Sequence, residues 1–259
     1  MHPFVKVMRT YCIDYTNSHD QSLYDEIMEP DYVVHISGFD LRRDDGYKAA
    51  VKNIFGQAPG LGLVVHELLL NGDRLCMRFS EHAAMPTEHG PRLACWQGIG
   101  LYKWNGRRLT ENYVEQDYFA LRRQLTEGVP DALEPPHLDP WVTTEPVPAD
   151  SANEAIVRDQ LVAGRLVDMS GLIEAGHVTV NDLFSAGPRV PFHVTVRGRY
   201  CGDLDGVPAS HHGTPVTVQV AGIADVVDGG DSDDGAVECT RSVVATMSIV
   251  SQLTGAAPL

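Results

Sequence analysis

Four strand-like segments between residues 63 and 116 constrain the fold of this chain more than any other feature. Apolar and polar side chains alternate along each segment, and glycine-containing turns separate them. The last turn, Asn105-Gly106, is a strong hairpin signal because it lies between two alternating segments. Since helical patterns precede this run, the sequence predicts an α+β fold with helices gathered on one side of a curved antiparallel sheet. The predicted strands are residues 63–70, 74–83, 92–104 and 107–116.

Three helices are predicted before these strands, over residues 3–18, 21–28 and 46–55, with a short strand over residues 31–36. In the first helix, Tyr11 and Tyr15 recur at helical spacing on one apolar face. This face is expected to cover the sheet and to roof a pocket.

A proline-rich segment divides the chain into two halves. It also contains Trp141, so we interpret it as an extended strap that docks through this side chain. We therefore expect a pocket-bearing domain over residues 1–126, a strap over 127–150 and a second domain over 151–259. The second domain is predicted to contain a helix over residues 151–169 and strands over 177–184, 189–201, 214–227 and 236–248.

The two halves repeat each other in sequence. The aligned pairs include Gly72 with Gly187, Arg74 with Arg189, Glu67 with Asp182 and Gln124 with Gln252. One repeated unit explains these matches. The second copy has a shorter helical part, so we interpret it as truncated and degenerate, and we expect the two copies to pack as an internal pseudo-dimer. The alignment places Ala245 opposite Asp117.

The composition argues against several classes of function. The 259-residue chain has 35 acidic and 20 basic residues, a balance that does not suit nucleic acids or anionic membranes. No apolar run is long enough to span a membrane. Five cysteines without a C-x-x-C pair are typical of free thiols, so we predict a cytoplasmic protein. The histidines lack metal-ligand spacing, and the acidic run 228–235 is interpreted as a solvated hairpin tip; no metal site is predicted.

An ordered set of motifs marks the first half. It comprises Tyr11 and Tyr15, the strand DYVVH that ends at His35, Gly72-Asp73-Arg74 before a strand with Arg78, and GRRLTE followed by Tyr113, Asp117 and Gln124. This set resembles the nuclear transport factor 2-like superfamily, in particular the SnoaL-like polyketide cyclases and the ketosteroid isomerase relatives. The resemblance covers residues 3–126 and, more weakly, the sheet over 177–254.

The resemblance implies a cone-shaped fold, in which a bent antiparallel sheet wraps around helices and encloses a deep apolar pocket. It also implies a cofactor-independent acid/base reaction on a small hydrophobic carbonyl compound, polyketide-like or steroid-like. Members of the superfamily pair sheet to sheet, so a further homodimer stays open.

Asp117 matches the acid/base aspartate of SnoaL-like cyclases. Burial at the mouth of an apolar pocket would raise the pKa of its carboxyl and suit it to proton transfer near neutral pH. The alternative is a helix N-cap, because Asp117 stands where a strand meets a helix.

Further site residues are expected near Asp117. His35 falls where ketosteroid isomerases carry their catalytic aspartate, and an imidazole suits a proton shuttle. Tyr15 is expected to stabilise an enolate oxygen. For each of these the alternative is ordinary packing with a satisfied polar group. The expected substrate-binding residues are Tyr11, Trp96, Arg78, Tyr113 and Phe55.

Asp40 and Glu67 form an alternative carboxylate pair. Polyether epoxide hydrolases, tandem members of the same superfamily, use an Asp and a Glu from comparable regions. Three functions therefore stay open: a cyclase, isomerase or lyase; a non-catalytic ligand-binding or assembly protein; and an epoxide hydrolase.

Overall fold

The computed structural model describes residues 1–134, 139–227 and 236–256. The acidic run 228–235 and residues 135–138 of the predicted strap lie outside the described residues. Among the helices that are described, none has the length and apolar character needed to cross a bilayer.

Helical segments open the first half. Helix α1 (Pro3–Arg9) continues into a π-helical segment, Thr10–Asn17, so the helix expected over residues 3–18 is present but widens after Arg9. A 3₁₀ turn (Gln21–Leu23) leads into the short α2 (Tyr24–Ile27), and α3 (Tyr47–Gln57) follows the first two strands. Tyr15 and Met8 on the first helical face are buried in the main apolar core.

A six-stranded sheet packs against these helices, in the order β2-β1-β6-β5-β4-β3. Every neighbouring pair is antiparallel except β1 and β6, which are parallel. The second of these strands, β2, was not among the predicted strands. The strands are β1 (Met28–Ile36), β2 (Phe39–Arg42), β3 (Gly62–Leu70), β4 (Arg74–Met85), β5 (Arg92–Trp104) and β6 (Leu109–Gln116).

The second half contains a smaller sheet. Helix α4 (Tyr118–Glu127) ends the first half, and the short α5 (Pro140–Thr143) brings Trp141 against the core of the first half. Helix α6 (Ser151–Val162) then precedes an antiparallel sheet in the order β10-β9-β8-β7, and α7 ends the described chain. These elements are β7 (Ile173–Leu183), β8 (Arg189–Tyr200), β9 (Pro215–Val227), β10 (Ala236–Val244) and α7 (Thr246–Thr254). The strand expected over 236–248 is shorter than predicted and ends at Val244. Helix α7 follows it at Thr246, the position that the repeat aligns with the start of α4.

The repeat is visible in local structure. Asp117 and Ala245 occupy the N-cap positions of α4 and α7 with similar backbone angles. Gln124 hydrogen-bonds the backbone N–H and carbonyl of Cys95, and Gln252 bonds those of Thr217 in the same way. Each glutamine therefore fixes its helix to the neighbouring strand.

The two sheets contact each other through an apolar cluster. It consists of Cys76, Ile99 and Leu101 from the first half and Phe184, Ala221, Ile223 and Val243 from the second. Two ion pairs flank it, Arg74 with Asp182 and Arg189 with Glu67. Because these four residues are aligned by the repeat, each half gives an arginine and receives one, as a two-fold relation requires. The expected domain boundaries stay predictions.

Candidate functional site

A cavity of about 680 Å³ lies between the helices and the sheet of the first half. Apolar and aromatic side chains form most of its wall, which suits a small hydrophobic ligand. Tyr11, Tyr15, Phe55 and Trp96, four of the expected site residues, line it. Their catalytic and binding roles stay predictions.

Glu81 on β4 is the one charged side chain among the described residues that line this cavity. Its carboxylate makes no hydrogen bond or ion pair with another described residue. Because no partner among the described residues compensates for the removal of this carboxylate from water, burial raises the pKa of the Glu81 carboxyl to about 7. A carboxyl with this pKa holds or releases a proton near neutral pH, as a general acid or base requires.

Trp96 lies opposite Glu81 in the sheet and is hydrogen-bonded to Gln116. Trp96 pairs directly with Glu81 across β4 and β5, and directly opposed side chains share one face of a sheet. The Trp96 indole Nε1 donates to Gln116 Oε1 at 2.7 Å. This hydrogen bond fixes the indole against the wall that carries Glu81.

Tyrosine hydroxyls supply hydrogen-bond donors to the same cavity. The hydroxyls of Tyr11 and Tyr47 are 2.9 Å apart, whereas the buried Tyr15 hydroxyl has no hydrogen-bond partner among the described residues. Burial raises the pKa of all three hydroxyls above the ordinary value, so they stay protonated at neutral pH. Such donors can stabilise a developing oxyanion.

Asp117 does not line the cavity, which corrects its expected place in the site, whereas burial does raise the pKa of its carboxyl as expected. Its Oδ1 accepts a hydrogen bond from the Ala120 N–H at 2.9 Å, as a helix N-cap does. On β6 the cavity-lining side chains are Asn112, Val114 and Gln116. Gln116, one residue earlier, is therefore the last inward side chain of the strand.

His35 and Tyr113 also lie outside the cavity. Strand alternation points Val34 and Ile36 inward and His35 to the opposite face, where its ring stacks on Tyr113 with centroids 4.2 Å apart. His35 is held there by Asp40 at 2.6 Å and Glu111 at 3.1 Å. Neither residue can reach a ligand enclosed in this cavity.

The proposed carboxylate pair does not converge. Asp40 is exposed and bonds His35, whereas Glu67 binds Arg189 and Arg78 between the halves. Arg78 in turn binds Glu134 at 2.5 Å, so it belongs to this ion-pair cluster and not to the cavity. Asp40, Glu67 and Arg78 are thus corrections to the expected site.

The second half also contributes to the wall, a contribution that the sequence does not predict. Residues of β9 and α7 close one side of the cavity, and they are Thr217, Gln219, Met247, Ser248, Ser251 and Gln252. No group of three or more His, Cys, Asp or Glu side chains suited to a metal ion occurs in residues 1–134, 139–227 and 236–256.

No family model matches the sequence, and no curated protein matches it either. Solved structures similar to the chain include one described as a polyketide cyclase from Acidithiobacillus ferrooxidans, with 21% identity and a TM-score of 0.43 over 48% of this chain and 94% of its own. A structure described as a SnoaL-like polyketide cyclase from Jannaschia has 15% identity and a TM-score of 0.42 over 47% of this chain and 90% of its own. AclR from Streptomyces galilaeus, described as a hydroxylase, has 16% identity and a TM-score of 0.43 over 49% of this chain and 98% of its own. Each of these matches covers about half of this chain.

Proposed function

We propose that the chain is a cofactor-independent acid/base enzyme of the cyclase or isomerase type, acting on a small hydrophobic carbonyl compound. The observation that carries this proposal is Glu81, an unpaired carboxyl with a pKa of about 7 inside an otherwise uncharged cavity. Groups with such perturbed pKa values in a cavity are typical of catalytic acids and bases.

In the proposed reaction, Glu81 removes a proton from the carbon next to the substrate carbonyl. A tyrosine hydroxyl of the cavity, that of Tyr15 or of the Tyr11–Tyr47 pair, donates to the enolate oxygen that forms. Protonated Glu81 then returns the proton at another carbon, or the enolate carbon attacks a second carbonyl and Glu81 protonates the resulting alkoxide. The first outcome is an isomerisation and the second an aldol cyclisation.

The test uses nitrobenzisoxazole, an apolar compound whose ring opens when a base removes one proton, releasing a coloured phenolate. Glu81→Gln keeps the size of the side chain but removes the base, so kcat/KM is expected to fall by about 100-fold or more. The matched control is Asp117→Asn, which alters a helix cap outside the cavity and is expected to keep turnover. Loss of turnover in Asp117→Asn with full turnover in Glu81→Gln would reverse the assignment.

A second candidate function is ligand binding without turnover. It is favoured by buried polar atoms at the cavity wall that lack partners among the described residues, namely Tyr15 Oη, Asn112 Oδ1 and Ser251 Oγ. Such atoms are usually satisfied by a ligand or water. Tight binding of an apolar compound with no Glu81-dependent proton transfer would support this function over the first.

A further inference from the structure

We infer that Gln219 and Ser251 of the second half form a recognition subsite for an uncharged oxygen group, a carbonyl or hydroxyl, on the substrate. The inference rests on the proposed function for its substrate but assigns a new role to the second half. The second half then does more than support the first half, because it completes the site and selects the ligand.

Strand β9 has two different stretches on the face that it turns toward the first half. Ala221 and Ile223 pack into the apolar cluster between the sheets. Gln219 and Thr217, two and four positions before Ala221 on the same face, extend beyond this cluster and line the cavity. The face is therefore apolar where the sheets touch and polar where it overhangs the cavity.

Gln219 is a buried amide with unused hydrogen-bonding capacity. Only 9% of its surface is exposed, and its side chain makes no hydrogen bond with a described residue. In a folded protein such an amide bonds to a ligand or to water in the cavity. The Gln219 side chain therefore offers a donor and an acceptor to whatever occupies the cavity.

The loop that contacts Gln219 is shaped to admit it. Gly38, between β1 and β2, has a φ of 86°, and a Cβ at this position would lie 3.2 Å from Gln219 Nε2. The preceding residue, Ser37, is also at positive φ and is held by Glu115, whose carboxylate accepts from the Ser37 N–H. Glu115 in turn contacts His193 of the second half at 3.0 Å. The two halves thus fix this edge of the cavity together.

Ser251 presents a second unused group from α7. Its hydroxyl is buried and has no partner among the described residues. The helix that carries it is held firmly, because Ile249, Val250 and Leu253 pack into the core of the second half and Gln252 bonds to Thr217. A polar group on such a supported element is pre-organised for binding.

The charges of the wall determine the class of ligand. No Lys, Arg or His lies among the described lining residues, and Glu81 is the one carboxylate. An anionic ligand would therefore lose its hydration without gaining a counter-charge. A neutral molecule with a large apolar frame and oxygen atoms for Gln219 and Ser251 fits this wall.

The test compares three flat tricyclic compounds that share one frame: anthracene, anthraquinone with two neutral carbonyls, and anthraquinone carboxylate. Dissociation constants are measured from tryptophan fluorescence, to which Trp96 in the cavity contributes. The wild-type chain is expected to bind anthraquinone best. The double variant Gln219→Leu and Ser251→Ala is expected to lose about tenfold of the affinity for anthraquinone and none of that for anthracene.

The control variant carries Gln97→Leu and Ser242→Ala, which change the same residue types outside the cavity and are expected to keep the preference. The inference would be overturned if the Gln219 and Ser251 variant kept the wild-type preference for anthraquinone over anthracene. An equal loss of affinity for both compounds would overturn it as well. Failure of the two ideas is distinguishable. If Glu81→Gln keeps turnover while the double variant loses the oxygen preference, only the proposed function fails. If Glu81→Gln loses turnover while the double variant keeps the preference, only the subsite fails.

Discussion

The two halves use equivalent strand positions in opposite ways. In the register set by Arg74 and Arg189, Glu81 opposite Trp96 in the first half corresponds to Val196 opposite Val218 in the second. Both valines are buried in the core of the second half. One copy thus carries a carboxyl and a cavity where the other carries a packed apolar layer. The second half contributes to the site through its outer face and not through its interior.

A buried hydrogen-bonded contact between Glu115 and His193 joins the halves and breaks the symmetry of the repeat. Glu115 has no exposed surface, and its partner His193 is 2% exposed. In the second half the position of Glu115 is taken by Val243, a member of the apolar cluster. The first half thus has a carboxylate where its copy has a hydrocarbon side chain.

Removal of one member of this pair is expected to have the largest effect on stability. His193→Leu leaves the buried Glu115 carboxyl without the hydrogen bond to its histidine, so the free energy of unfolding should fall by about 3 kcal/mol. Urea unfolding followed by circular dichroism measures this change. The double variant Glu115→Val and His193→Leu, which copies the apolar solution of the second half, should recover most of it. A loss below about 1 kcal/mol in His193→Leu would contradict this account of the interface.

Removal of the ionisable group at Glu81 tests the cost of the cavity carboxyl, which the second copy lacks. Because the folded-state pKa of Glu81 is raised to about 7, folding favours the protonated form. The stability of the wild-type chain therefore falls as the pH rises from the unfolded pKa through about 7. Glu81→Gln removes this loss. At pH 8 its free energy of unfolding should therefore exceed that of the wild type by about 3 kcal/mol, whereas at pH 4 the two should be equal. Equal stabilities at both pH values would contradict the raised pKa.

The reciprocal ion pairs test how closely the halves are related by symmetry. Asp182 is 7% exposed and Glu67 is 26% exposed, so the Arg74 pair is better shielded from water than the Arg189 pair. Arg74→Ala should therefore lower the free energy of unfolding by about 2 kcal/mol and Arg189→Ala by about 1 kcal/mol. Urea unfolding at low and high salt measures both. A larger loss for Arg189→Ala would show that the exposed fractions do not control these energies.

The helix caps give the smallest expected difference. Asp117 caps α4 with its carboxylate, whereas Ala245 begins α7 without a side-chain cap. Asp117→Ala should cost about 1 kcal/mol, and Ala245→Ser should stabilise the chain by a smaller amount because it adds the missing acceptor. Thermal unfolding measures both variants, and the melting temperature should fall in Asp117→Ala and rise in Ala245→Ser. Two changes of the same sign would show that the two helix starts are not equivalent.

The order of elements, the hairpin at Asn105-Gly106 and the repeat were readable from the sequence because they depend on local patterns. The sequence did not predict which side chains of β6 face the cavity. Trp104 pairs with Leu109 but Lys103 pairs with Glu111, so one extra residue interrupts the alternation of β6. Strict alternation from Leu109 would therefore place Tyr113 on the cavity face, where the structure has Asn112 and Val114.

Glu81 left a signal in the sequence that alternation alone could have revealed. Along β4, Leu75, Met77, Phe79, Ala83 and Met85 form the buried apolar phase, and Glu81 falls within it. A carboxylate in the apolar phase of a strand is either paired or functional. The subsite from the second half left no such signal, because it depends on how two sheets separated in sequence pack together.

The pH dependence of nitrobenzisoxazole ring opening tests the central claim most directly. If Glu81 is the base, kcat/KM rises with pH as the carboxyl ionises, with an inflection at about 7. Glu81→Gln should abolish this inflection, and Asp117→Asn should keep it. An inflection near the ordinary pKa of a glutamic acid, or one that persists in Glu81→Gln, would contradict the assignment of Glu81 as the acid/base group.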